Sequence, residues 1–190
     1  MHISIEGMDG VGKTTVANIL SGRTGYRFVQ KNLSELFDGE GSEENYIRIR
    51  DRVNAEEDRL FTAWFYGLGN IYLRTKHAGE DIITDRYYLS NYAWSGTEKN
   101  EAVYGLLVRM LGVPELTVIL YADEDTLRRR LMGRGAGDRD LLKVPLAREK
   151  YEKMIFFCER FSVPYMLIDT SGISAGEVAE RIMKRIEGRP

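Results

Sequence analysis

Residues 7–14 read Gly-Met-Asp-Gly-Val-Gly-Lys-Thr, a sequence of the form G-x-x-x-x-G-K-T. A short alternating segment, residues 2–6, precedes it, and apolar residues at helical spacing follow it through residues 16–20. A loop of this pattern between a strand and a helix binds phosphate. A glycine-rich turn without a ligand would not require Lys-Thr directly after its last glycine. The pattern therefore predicts a nucleotide-binding P-loop.

Each part of this loop has a predicted task. Three glycines allow the tight and left-handed conformations that turn backbone N–H groups towards phosphate oxygens: Gly7, Gly10 and Gly12. The first helical turn, from Lys13 to Thr15, adds unpaired N–H groups and the positive end of the helix dipole. We expect the Lys13 ammonium to contact the β- and γ-phosphates and the Thr14 hydroxyl to coordinate Mg²⁺. The predicted cofactor is Mg²⁺, with ATP as the phosphate donor.

Composition limits the class of protein. The chain has 190 residues, of which 29% are charged and 43% hydrophobic, as in globular proteins, and its length fits one domain, residues 1–190. With 29 acidic and 27 basic residues, broad binding to nucleic acid is not expected. No apolar run approaches the ~20 residues that cross a membrane. Because there is one cysteine and no secretory leader, we expect a cytoplasmic protein without disulfides.

Apolar segments alternate with helical ones along the chain. Strands are expected at residues 2–6, 27–29, 82–85, 116–122 and 165–169, with helices between them and an exposed loop at 38–42. This alternation predicts an α/β fold, in which a five-stranded parallel sheet carries helices on both faces. The site is expected at the carboxyl ends of the strands.

Two further features could complete a phosphate site. Asp85 ends the third predicted strand, where an acid beside a P-loop holds Mg²⁺ directly or through water; the alternative is a salt bridge that caps the strand. Arginine and glycine are concentrated near residues 128–139, where Arg130 and Arg134 share a helix face and Arg139 follows. Such a segment suits an arginine-rich lid, about residues 130–145, that closes over the transferring phosphate. A basic surface patch is the alternative.

Residues 43–76 mix arginine with aromatic residues. The simpler interpretation is an amphipathic helix, with a kink, that has an aromatic core stripe and a charged face. The alternative is a substrate pocket, in which rings such as that of Phe61 stack on a base and an arginine binds phosphate.

Together, the P-loop, residues 85–87 and the arginine-rich segment resemble thymidylate kinases, which transfer phosphate from ATP to dTMP. Residues 6–10 are similar to that family's E-G-x-D/E-G, and residues 85–94 to its D-R-Y-x-x-S-x-x-A-Y. The resemblance covers most of the chain and implies the three-layer P-loop kinase fold. It also implies a homodimer, which is common in the family.

The resemblance implies residue roles on the acceptor side. Asp9 would contact the sugar hydroxyl of the acceptor, and Arg86 would hold its phosphate. Ser90 or Asn91 would face the base. Trp94 stands where a tyrosine normally packs against the deoxyribose.

The resemblance also assigns the arginines of the lid. Arg130 would contact ATP. No basic residue occupies positions 10 and 11 of the P-loop, and in the family this variant places the catalytic arginine in the lid. That role would therefore fall to Arg134 or Arg139.

The acceptor side departs from the family pattern. The family's R-E-P segment after the second strand is absent near residues 29–32. By ungapped counting, the family arginine upstream of D-R-Y falls on Trp64, and the acid of the D-R-x-E lid falls on Leu141.

These observations predict transfer of phosphate from Mg-ATP to a small nucleotide, with dTMP to dTDP as the first candidate. A dTMP phosphate needs no general base, whereas a hydroxyl acceptor would need one, either Asp85 or Glu6. The alternatives are a deoxynucleoside or other small-molecule P-loop kinase, and a non-catalytic nucleotide-binding module.

Overall fold

The predicted parallel sheet is present. The structure, a computed structural model, describes residues 1–30, 32–39, 43–135 and 137–188. Five strands pair in parallel in the order β2-β3-β1-β4-β5. Their bounds are β1 His2–Gly7, β2 Arg27–Val29, β3 Ile82–Asp85, β4 Leu116–Tyr121 and β5 Tyr165–Asp169. Each strand lies within one residue of its predicted bounds, because buried parallel strands have a clear apolar pattern.

Helices fill the connections between the strands. Their bounds are α1 Lys13–Thr24, α2 Asn32–Asp38, α3 Glu44–Ala55, α4 Arg59–Lys76, α5 Tyr88–Ser95, α6 Glu101–Leu111, α7 Glu124–Met132, α8 Ala147–Arg160 and α9 Ala175–Glu187. A 3₁₀ helix, Arg139–Leu146, occupies the second half of the predicted lid. Helix α2 has no counterpart among the predicted helices. In the predicted loop at 38–42, residues 40–42 lie outside the described residues, as does Ala136 in the predicted lid.

The two faces of the sheet carry different helices. Helices α1 and α9 cover one face, where Leu20 and Ile182 are completely buried. The other face carries α4, α5, α6 and α8, whose core includes the fully buried rings of Tyr88, Tyr104 and Phe157. Helices therefore lie on both faces, which confirms the predicted three-layer architecture. Among the described residues, no helix is both long enough and apolar enough to span a bilayer.

The strand register brings the chemically important loops to one edge. Strand β1 lies between β3 and β4, with Ile5 opposite Asp85 and Gly7 opposite Leu120. After β1 the chain first forms β2 and β3 on one side of this strand, and later forms β4 and β5 on its other side. Parallel sheets bind ligands at such a switch point, outside the carboxyl ends of their strands.

Gly7 is the residue whose replacement should damage this edge most. Its φ is 136°, and a Cβ atom there would lie 2.2 Å from the Leu120 carbonyl oxygen. We expect Gly7→Ala to lower the free energy of unfolding by about 3 kcal/mol or more, measured by chemical denaturation. Gly22→Ala is the matched control, because Gly22 lies within α1 and a Cβ there meets open space. The control should raise stability by about 0.5–1 kcal/mol; equal effects of the two changes would contradict the described loop.

Candidate active site

The P-loop joins β1 to α1. Gly10 and Gly12 have φ values of 90° and 92°, in the left-handed region that favours glycine. Gly12 is the N-cap of α1, and no side chain in the described part of the protein caps this helix. The N–H groups of its first turn, including those of Thr14 and Thr15, are therefore left for an anionic ligand.

Lys13 is folded back across the loop. Its ammonium donates a hydrogen bond to the Met8 carbonyl oxygen at 2.9 Å and lies 3.8 Å from Asp9 Oδ1. The side chain is only 6% exposed. Burial, reinforced by the positive charge of Arg86, lowers the pKa of Lys13 to about 8. A phosphate beside Lys13 would restore its charge, because a nearby anion favours the ammonium form.

This pKa predicts proton uptake on nucleotide binding. Near pH 8 Lys13 of the ligand-free protein is about half protonated, so binding of Mg-ADP should take up about half a proton, and affinity should fall as the pH rises further. Below about pH 7 Lys13 is already charged, and this contribution should vanish. Calorimetry in two buffers of different ionisation enthalpy measures the uptake, with Lys13→Met as the control. Equal uptake by both proteins at pH 8 would exclude Lys13 as its source.

Thr14 and Asp85 meet where α1 begins and β3 ends. The Thr14 hydroxyl donates to Asp85 Oδ2 at 2.8 Å, and the Gln30 amide lies 3.4 and 3.5 Å from these same two oxygens. Hydroxyl and carboxylate oxygens suit Mg²⁺, which also keeps phosphate and water ligands. In the part of the chain that the structure describes, no three His, Cys, Asp or Glu side chains are arranged so that they could hold a metal ion by themselves. The pair therefore fits an ion completed by nucleotide phosphates.

Arg86 pairs with Asp9 rather than with its neighbour Asp85. Its guanidinium donates to Asp9 Oδ1 at 2.5 Å and to the Ser90 hydroxyl at 3.3 Å. Its φ is 75°, a conformation that costs ~1–3 kcal/mol in a residue with a side chain. Burial alone would raise the pKa of Asp9, but the charges of Arg86, Lys13 and Lys143 outweigh it and hold that pKa far below its usual range. The strain and the ion pair make Arg86 a candidate site residue.

Glu6 organises the start of α5. Its carboxylate is completely buried and accepts hydrogen bonds from the Tyr87 N–H at 2.7 Å, the Ser90 N–H and hydroxyl at 3.2 and 2.5 Å, and the Ser4 hydroxyl at 3.1 Å. Burial raises the pKa of Glu6 against these hydrogen bonds. The carboxylate thus fixes the chain directly after Arg86, at Tyr87 and Ser90.

Three predicted acceptor residues lie on α5, but their surroundings differ. Ser90 is 5% exposed and lies between Glu6 and Arg86. The Asn91 amide donates to the Ala63 carbonyl oxygen at 3.3 Å and accepts from the Tyr104 hydroxyl at 3.1 Å, so that it ties α5 to α4 and α6.

The third of these residues, Trp94, faces cations. The ammonium groups of Lys150 and Lys143 lie 4.9 and 5.7 Å from the centre of its ring. Such contacts draw positive charge to the face of an indole. The predicted packing of Trp94 against a sugar would therefore take place beside two lysines.

Helices α3 and α4 carry polar and aromatic side chains to which the sequence assigned no individual role. Tyr46 and Arg50 lie one turn apart on α3, with the guanidinium carbon 6.0 Å from the ring centre, and the Tyr66 hydroxyl of α4 donates to Asn54 Oδ1 at 3.0 Å. Burial raises the pKa of Tyr46 to about 12 and also raises that of Tyr66, while the charge of Arg86 acts on both in the opposite direction. Both phenols therefore lie within electrostatic reach of Arg86. The helical spacing of Tyr46 and Arg50 was the available signal.

Phe61 does not share this position. It is 54% exposed and lies on the α4 face that also carries Trp64 and Leu68. Since it lies five positions before Tyr66, the two rings point to different sides of the helix. The Phe61 ring therefore lies on the exposed face of α4, away from Tyr66.

Of the three arginines assigned to the predicted lid, hydrogen bonds within the described residues fix one and leave two without a partner. Arg130 donates to the Thr170 carbonyl oxygen at 2.6 Å, to its hydroxyl at 3.0 Å and to the Gly10 carbonyl oxygen at 3.4 Å. Arg134 and Arg139 are exposed, and neither guanidinium has a hydrogen bond or ion pair within residues 1–30, 32–39, 43–135 and 137–188. Closure of this segment over a ligand stays a prediction.

Comparison with known proteins identifies the family of this chain. A family model described as an AAA domain matches residues 3–153. The chain belongs to this AAA domain family. Matches over nearly the whole chain include kinases. A thymidylate kinase from Nautilia profundicola is 26% identical over 98% of this chain and 96% of its own length. A protein named "Putative adenylate kinase" from Thermococcus onnurineus is 26% identical over 96% of this chain and 82% of its own length.

The fold also matches solved structures. A deoxyadenosine kinase from M. mycoides superposes with a TM-score of 0.68 over 100% of both chains, at 16% sequence identity. At that identity the match supports the fold alone. The curated relatives confirm the resemblance to thymidylate kinases. The five-stranded parallel sheet and the similar solved structures confirm the P-loop fold.

Proposed function

We propose that this protein transfers the γ-phosphoryl group of Mg-ATP to a deoxynucleoside monophosphate, with dTMP to dTDP as the first candidate. The observation that carries the proposal is Arg86, a strained arginine beside the P-loop that is paired with Asp9. A cation fixed in this way suits the phosphate of an acceptor. The names of the curated relatives support the reaction class.

The carboxylates near the P-loop favour an acceptor that is already ionised. A hydroxyl acceptor needs a general base, whereas a phosphate oxygen does not. Asp9 is a weak base because its neighbouring cations hold its pKa low. Glu6 is buried behind four hydrogen bonds, and Asp85 is engaged with Thr14.

The chain's own residues perform charge neutralisation and alignment. Mg²⁺, held by Thr14 and Asp85 together with phosphate oxygens, would neutralise charge on the transferring phosphate. Lys13 and the N–H groups of the first α1 turn bind the donor phosphates, and Arg86 orients the acceptor phosphate in line. Arg134 and Arg139, which have no ion pair within the described residues, supply further positive charge for the transferring phosphate.

A deoxynucleoside kinase is the second candidate. The observation in its favour is that the family's upstream phosphate-binding arginine is replaced by Trp64, whose side chain is 42% exposed. A non-catalytic nucleotide-binding module is the third, although it gives no reason for the strain at Arg86.

A coupled ADP-release assay separates these candidates. We would supply Mg-ATP with dTMP, dCMP, dAMP, dGMP and AMP, and with the matching nucleosides. The proposal expects turnover of a deoxynucleoside monophosphate at least roughly a hundredfold above its nucleoside, because a site built for phosphate is left unpaired without it. Turnover of thymidine without dTMP would support the second candidate, and nucleotide binding without any turnover would support the third.

We further propose that the chain forms a homodimer. Four apolar side chains on one face of α4 are 42–54% exposed: Leu60, Phe61, Trp64 and Leu68. Contiguous exposed apolar residues are typical of interaction surfaces. Light scattering should give twice the chain mass of 21.8 kDa, and Trp64→Glu should return it to the single mass.

A further inference from the structure

Lys143 occupies an unexpected position for a residue of the lid segment. It lies on the 3₁₀ helix, where its ammonium donates to Asp140 Oδ1 at 2.6 Å. The same ammonium lies 3.8 Å from Asp9 Oδ2 and 5.7 Å from the centre of the Trp94 ring. It thus connects the lid segment to the P-loop on the side where Arg86 lies.

Asp9 is shared among three cations that differ in their exposure to solvent. Arg86 and Lys13 approach Oδ1, and Lys143 approaches Oδ2. Lys13 is 6% exposed, Arg86 29% and Lys143 43%. Lys143 is therefore the member of this group that best reaches solvent, on a flexible stem with three donors.

The partners of Lys143 are exchangeable. Its bond to Asp140 joins residues three apart in a partly exposed ion pair, and such pairs contribute little stability. A phosphate dianion offers more charge and more acceptor oxygens than either carboxylate. When such a group lies against Arg86, Lys143 can turn to it without leaving the neighbourhood of Asp9.

We propose that Lys143 binds the phosphate of the acceptor together with Arg86, so that the site selects a phosphate monoester over an uncharged nucleoside. This inference rests on the proposed function and names the residue that reads the acceptor's charge. The competing explanation is that Lys143 only fastens the 3₁₀ helix to the P-loop. That explanation predicts a loss of stability without any preference among acceptors.

The test compares Lys143→Met, Lys143→Arg and Lys99→Met. Lys99 is exposed and has no ion pair within the described residues, so it is the control for the loss of one surface charge. Equilibrium binding of dTMP, dCMP, dAMP and dGMP, and of their nucleosides, is measured by calorimetry without ATP. KM and kcat are measured for any monophosphate that is turned over. Thermal melting confirms that each variant is folded.

We expect Lys143→Met to weaken monophosphate binding about ten- to a hundredfold, the range for a hydrogen bond to a charged group. Nucleoside binding and the KM for ATP should stay within about twofold. Lys143→Arg should restore most of the affinity, and Lys99→Met should match the wild type.

The outcomes separate this inference from the proposed function. If dTMP is turned over but Lys143→Met leaves its Kd and KM unchanged, the inference fails and the proposed function stands. If monophosphates bind in a Lys143-dependent way but neither they nor their nucleosides are turned over, the binding role of Lys143 stands and the proposed function fails. Equal loss of monophosphate and nucleoside binding, or no monophosphate binding by the wild type, would overturn the inference.

Discussion

Changing Lys13 to methionine is expected to lower kcat for phosphoryl transfer at least about a thousandfold. Lys13 is the cation inside the P-loop, and its side chain is almost fully enclosed. In such a site a fixed charge acts on the transferring phosphate with little screening by water. Methionine keeps the length and apolar stem of the side chain but removes the charge.

The same variant should remain folded. Burial lowers the pKa of Lys13, which means that the fold disfavours its charged form. Removing that charge should therefore change the free energy of unfolding by no more than about 1 kcal/mol. Steady-state kinetics and chemical denaturation measure the two effects, with Lys184→Met on the exposed surface of α9 as the control. A folded Lys13→Met protein with near-normal kcat would show that the P-loop assignment is wrong.

The second large effect is expected at the lid. Replacing the catalytic member of Arg134 and Arg139 with methionine should lower kcat about a hundred- to a thousandfold, the loss for one electrostatic donor in the transition state. Because the contact forms with the transferring phosphate, KM should change little. The other arginine should have a smaller effect. Both variants should keep wild-type stability within about 0.5 kcal/mol, since these side chains are exposed.

Arg128→Met is the matched control for the lid. Arg128 lies on α7, 3.7 Å from Glu124, and its side chain is 46% exposed. The control loses one arginine from the same segment but none of the charge proposed to reach the phosphate. If both Arg134→Met and Arg139→Met retain full kcat, the segment is a basic surface patch and not a catalytic lid.

Features encoded locally were predictable from the sequence. The P-loop depends on residue types at fixed spacing, and the five strands depend on short apolar runs, so both follow from neighbouring residues. Asp85 was predictable because a strand end places it beside the loop. Its 2.8 Å hydrogen bond with Thr14 agrees with that expectation.

Contacts between residues that lie far apart in the sequence were not predictable in the same way. Either Ser90 or Asn91 was expected to face the base, and the bonds from both ends of the Asn91 amide to α4 and α6 were not foreseen. No local pattern reveals such partners, because they depend on how helices pack. Lys143 was missed for the same reason, since it meets Asp9 only after the chain has crossed β4 and α7. Helix α2 was missed because a short helix has a weak apolar pattern.

We propose that the P-loop and Arg86 serve one reaction, in which a nucleoside monophosphate receives phosphate from ATP. Its most direct measurement is separation of the products by anion-exchange chromatography after incubation with Mg-ATP and an equal mixture of dTMP, dCMP, dAMP and dGMP. We predict that one deoxynucleoside diphosphate and ADP form in equal amounts, and that Lys13→Met forms neither. ADP release without a deoxynucleoside diphosphate, or phosphorylation of the nucleosides alone in a parallel reaction, would contradict the account.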